Sequence, residues 1–93
     1  MIEEHLQSTY IMLIKSFPDG ISQLQYGSLI KILYDHMSDR NLATVLAEIT
    51  KKNYEVVLND IYRIAGNNLL FEDENSVLSI LIANGFNLWI EED

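Results

Sequence analysis

Apolar residues recur along this chain at spacings of three and four, the signature of helices that each turn one face to a core. Ile2, Leu6, Tyr10, Leu13, Ile14 and Phe17 share one face and predict a first helix from Ile2 to about Ser16, with Ile11 and Met12 widening its apolar arc. Tyr26, Leu29, Ile30, Leu33 and Met37 predict a second helix ending near His36. Leu42, Val45, Leu46 and Ile49 make the stripe of a third, and Tyr54, Val57, Leu58, Ile61, Ile64 and Ala65 that of a fourth. The most apolar run, Val77 to Trp89, shows no clean polar stripe in its first half. A helix that is apolar on most sides is usually buried on most sides. The pattern therefore predicts an all-α fold: one compact bundle of about five helices around a buried C-terminal helix, with residues 1–93 as a single domain.

The punctuation between these runs agrees with helices. The sole proline lies in Phe17-Pro18-Asp19-Gly20-Ile21, where it stops the first helix at Phe17 and opens a turn, leaving Phe17 and Ile21 pinned to the core on either side. Ser22 followed by Gln25 matches a capping box. Ser38 is a good N-cap with Asp39 in the first turn, Asn53 caps the fourth helix, and Gly66 is expected where that helix ends left-handed. Gly27, inside the second helix, predicts close approach of another helix backbone. Leu69-Leu70-Phe71 reads as a connector whose side chains plug the core. Asp73 is placed to cap the last long helix, and Phe86, Leu88 and Trp89 alternate around Asn87 as a short extended tail.

Charge narrows the partners. Fourteen acidic and six basic residues give a formal net charge of −8, which repels phosphate backbones and anionic lipid head groups. Nucleic acid and membrane are thus expected to be absent from its partners, and a basic protein fits better. The second and third helices, joined by a short turn, have the outline of a helix-turn-helix. However, only Arg40 and Asn41 stand where a recognition helix reads bases. With no cysteine there is neither a disulfide framework nor a thiolate site. The opening Met1-Ile2-Glu3-Glu4-His5 has no basic region before an apolar run, so the cytoplasm is the expected compartment.

Candidate chemistry is sparse. His36 has Asp35 beside it and Asp39 three residues on, which are metal-ligating types, but adjacent helical residues diverge by about 100°. His5 looks solvent-facing. No serine sits in a nucleophile elbow, and the four glycines are dispersed, so there is no phosphate loop. The expectation is no catalytic residue, no cofactor and no metal. Tyr34, Tyr62 and Ile32 fall just off their helices' main stripes, and together they would make an exposed apolar patch or cover core edges.

In order and spacing, these pieces resemble a family of small helical bacterial proteins of unknown function, best known in mycobacteria and other actinobacteria. The resemblance runs from Phe17 to Trp89. It rests on Phe17-Pro18-Asp19-Gly20, Tyr26, Leu29 to Leu33, Ser38-Asp39, and Glu72-Asp73 leading into Val77, Leu81, Ala83, Gly85, Phe86 and Leu88. The chain departs where members carry Gly-Trp-Pro-Leu, having Gly85-Phe86-Asn87-Leu88 instead, and it lacks their arginine-rich helix faces. The resemblance implies a helical bundle and transfers no site residue. The functional expectation is a small non-enzymatic protein–protein interaction or regulatory module. The alternative is an acidic inhibitor or immunity-type protein that neutralises a basic partner.

Overall fold

The second helix organises the fold. The structure is a computed structural model that describes residues 2–66 and 71–91. Those residues form six α-helices and no strand: α1 Gln7–Ser16, α2 Gln23–Tyr34, α3 Asp39–Thr50, α4 Tyr54–Gly66, α5 Glu74–Ala83 and α6 Phe86–Ile90. A 3-10 turn, Glu4–Leu6, leads into α1 in place of the helix expected from Ile2. In α2, Tyr26, Gly27, Ser28, Leu29, Ile30 and Leu33 are all buried, and the helix packs against α3, α4 and α5. The extents are 28 × 28 × 27 Å.

That arrangement corrects the expectation of a C-terminal helix buried on most sides. In α5 only Val77 and Leu81 are buried, while Ile82 is 46% exposed. The run is apolar on most sides because Leu78 and Ile80 cover core edges half-buried, not because neighbours surround it. The expected extended tail is instead the helix α6. Gly85, at φ 102°, reverses the chain, and the Trp89 N–H donates to the Gly85 carbonyl at 2.9 Å. This turns Phe86 and Trp89, three apart, onto one face, with Phe86 buried and Leu88 71% exposed.

Helix ends follow local chemistry closely. The Phe17–Gly20 turn is closed by a 3.0 Å bond from the Gly20 N–H to the Phe17 carbonyl, with Gly20 at φ 96°. Phe17 is buried and Ile21 packs half-buried against the core. Ser22 and Gln25 form a complete capping box, at 3.1 and 3.2 Å. Ser38 Oγ accepts the Asn41 N–H at 3.1 Å, and Asn53 Oδ1 accepts the Glu55 N–H at 2.8 Å. Besides Gly85 behind α5, a left-handed residue follows a helix at Lys51, at φ 64° behind α3, and not at Gly66, which closes α4 as its last helical residue without a positive φ. α2 ends at Tyr34, two residues short of His36.

Two half-buried contacts bind the loop before α5 to α2. A β-carbon at Gly27 would lie 2.5 Å from the Phe71 ring, so the glycine admits an aromatic wedge and not the helix backbone expected there. Beside it, the fully buried Ser28 donates to the Asp73 carboxylate. Asp73 is thereby spent on α2 and does not cap α5. Leu69 and Leu70, expected to plug the core, lie outside the described residues, as do Glu92 and Asp93 of the acidic end.

Candidate functional site

α6 returns the end of the chain to its beginning, and a hollow forms where it does. Trp89 Nε1 donates a 2.8 Å hydrogen bond to Thr9 Oγ1 on α1. Phe86 and Trp89 stack with centroids 5.7 Å apart, and the His36 ring meets both edge-on, at 5.6 and 6.0 Å. His36 is held at the end of α2 by its N–H, which donates to the Leu33 carbonyl at 2.9 Å. Between these rings, the N-terminal turn and the start of α3 lies an open hollow of about 620 Å³, within the usual range of ligand sites. His5, Ser8, Asp35, His36, Asn41 and Trp89 are among its lining residues.

Both histidines of the chain therefore line one space, although the sequence groups His36 only with Asp35 and Asp39 and reads His5 as solvent-facing. No sequence signal joins them, because only the docking of the N-terminal turn and α6 against the α2–α3 corner brings them together. His5 Nδ1 stands 3.6 Å from the carboxylate of Glu3, two residues before it in the chain. Asp39, grouped with Asp35 and His36 by spacing, lines neither of the hollows that they line. Its carboxylate accepts the Arg40 N–H at 2.9 Å and the Tyr62 hydroxyl. Among the described residues no group of three histidines, cysteines or acids is arranged to hold a metal ion.

Asp35 and His36 form a sill between this hollow and a second one of about 360 Å³, bounded by Lys31, Ile32, Glu74, Leu78 and Phe86. Lys31 Nζ lies 3.6 Å from Glu74 Oε1. Asp35 has no ion pair among the described residues. It is also the C-cap of α2, the negative end of a helix, where an acid is locally unfavourable. The positive end of α3 opens on the same hollow, but Ser38 and Asp39 already answer it. The local field at the sill is therefore negative.

A third hollow, about 320 Å³, lies over Tyr26 and is occupied on one side by a structural cluster. The Tyr26 hydroxyl donates to Asp60 Oδ2 at 2.8 Å. Lys52 Nζ stands 3.8 Å from that oxygen and 4.2 Å above the Tyr26 ring, and Arg63 reaches Asp60 Oδ1 at 3.3 Å. Burial first, and then the Asp60 hydrogen bond and charge, push the Tyr26 hydroxyl well above the ordinary tyrosine range.

The three residues weighed as a patch do not make one. Ile32 and Tyr34 are two apart on α2 and leave it about 200° apart. Ile32 lines the second hollow, and Tyr34 is 44% exposed. Tyr62 is 52% exposed on α4, where its hydrogen bond to Asp39, followed by burial and the Asp39 charge, raises its pKa.

No protein-family model, no curated protein and no solved structure matches the chain. Among the described residues no helix is long and apolar enough to cross a membrane.

Proposed function

We propose that this protein is a small cytoplasmic, non-enzymatic module that binds another protein, and that the partner docks at the hollow between α1, the α2–α3 corner and α6. The observation carrying this reading is the composition of that hollow. The packed rings of Trp89 and His36, backed by the buried Phe86, stand beside a polar rim of Ser8, Asp35 and Asn41. An aromatic anchor within a polar rim is how protein interfaces concentrate their binding energy. Of the hydroxyls that line the hollow, Thr9 accepts the indole N–H and Ser38 caps α3, while Ser8 stands on the rim. None of the three is hydrogen-bonded to His5 or His36 among the described residues, which favours binding over nucleophilic chemistry, where a hydroxyl is delivered to a base.

A second reading, an acidic inhibitor of a basic protein, is favoured by the net charge of −8 and by a hollow with no lysine or arginine in its lining. Nucleic acid is disfavoured by the same charge. We also read the chain as a divergent member of the actinobacterial family that it resembles. The Phe17–Gly20 turn and the Ser38 cap, each formed at the expected place, support that reading.

Site-specific photo-crosslinking in the source cell tests the proposal. A benzophenone side chain at Ser8, on the hollow, should give a discrete adduct, and one at Leu24, 80% exposed at the far end of α2, should not. Equal labelling from both positions, or none from Ser8, removes the proposal.

A further inference from the structure

We infer that the sill between the two hollows is a receptor for an arginine side chain of the partner, with Asp35 taking the guanidinium and the His36–Trp89 rings flanking it. This rests on the docking site proposed above and specifies its chemistry. Three observations converge on a cation. Asp35 faces both hollows and has no ion pair among the described residues, so its carboxylate is available. It sits at the negative end of α2, where the helix itself attracts positive charge. The competing positive end of α3 is already covered by Ser38 and Asp39.

The choice of arginine over lysine follows from shape. The rings of His36, Phe86 and Trp89 form one packed group, and His36 and Trp89 line the first hollow together with Asp35. A guanidinium is planar, lies flat on aromatic faces and engages a carboxylate through two parallel N–H bonds, whereas an ammonium is a point charge with neither the plane nor the fork. A cation over a ring gains further attraction from its quadrupole. Asp35 also breaks a local rule, since an acid at a helix C-terminus costs stability. Locally unfavourable residues of this kind concentrate at functional sites.

The test titrates the full chain, labelled with nitrogen-15, with N-acetyl-arginine amide, N-acetyl-lysine amide and N-acetyl-citrulline amide in about 0.15 M salt, which suppresses diffuse attraction. Arginine amide should shift the amides of Asp35 and His36 and the Trp89 indole N–H. Lysine amide should bind severalfold more weakly, and neutral citrulline should leave these signals unmoved. Asp35→Asn should weaken arginine binding at least about tenfold, the loss expected for a charge-assisted hydrogen bond, while its melting temperature rises. Shifts scattered over the acidic surface, equal shifts with citrulline, or unchanged binding to Asp35→Asn overturn the inference. A lower melting temperature for Asp35→Asn does so too, since Asp35 would then serve the fold. A Ser8 adduct without arginine binding refutes this inference and leaves the docking site standing. Arginine binding without an adduct does the reverse.

Discussion

Trp89 and Thr9 are joined by one 2.8 Å hydrogen bond across eighty positions of sequence. Thr9 is 3% exposed, so its hydroxyl has little access to water if the indole is withdrawn. Trp89→Phe removes the N–H and part of the ring, and should cost about 2 kcal/mol. Adding Thr9→Val should recover part of that loss, because no buried polar atom is then left without a partner. Urea unfolding followed by far-UV circular dichroism measures both, and strict additivity would mean the bond contributes nothing.

Gly27→Ala sets two effects against each other. Alanine gains about 1 kcal/mol in a helix interior. Its methyl would also fall 2.5 Å from the Phe71 ring, which must then leave its slot. Expelling a half-buried aromatic wedge outweighs the propensity gain, so the single change should destabilise the protein by about 1 kcal/mol. With Phe71→Ala already in place, the sign should reverse and Gly27→Ala should stabilise by about 1 kcal/mol. The same sign in both backgrounds would rule out the wedge.

Leu81 and Ile82 are neighbours on α5 with opposite surroundings, one fully buried and the other 46% exposed. Leu81→Asp should unfold the domain, because it places an unpaired charge in the core. Ile82→Asp should leave a cooperative melting transition close to that of the parent. Unfolding by both would restore a C-terminal helix buried all round.

Tyr26 makes stability depend on alkaline pH. Its ionisation in the folded state is pushed above the ordinary value of 10.0, chiefly by burial, so the native state holds the proton more tightly than the unfolded chain does. This contribution is fully present below about pH 10 and is lost as pH rises beyond it. Tyr26→Phe should cost about 1 kcal/mol at neutral pH by deleting the bond to Asp60, and it should flatten the decline above pH 10. Chemical denaturation from pH 7 to 11 gives both slopes, and parallel curves would exclude Tyr26 as the cause.

Features that depend on a few adjacent residues were legible in the chain. Ser22 and Gln25 close their box, Ser38 and Asn53 cap their helices, and Phe17 turns inward beside Pro18. Each is a contact within three residues, made with backbone the residue itself positions. The misreadings were of two kinds. Over five residues, a spacing of two and a spacing of three look alike, so Phe86, Leu88 and Trp89 passed for a strand-like tail. Asp73 and Gly27 carried correct local signals, but their partners, Ser28 and Phe71, were chosen by packing.

By itself, the pattern of apolar spacing and capping residues determined that this protein is all-helical and where α2, α3 and α4 begin, because those choices depend on backbone hydrogen bonds and side chains within a turn of each other. Only the tertiary structure decided that α2 and not α5 is the most enclosed element, and that His5, Asp35, His36 and Trp89 share one hollow. An apolar stripe states that a face must be covered and not which helix covers it. The candidate site exists only where the two ends of the chain close against the α2–α3 corner.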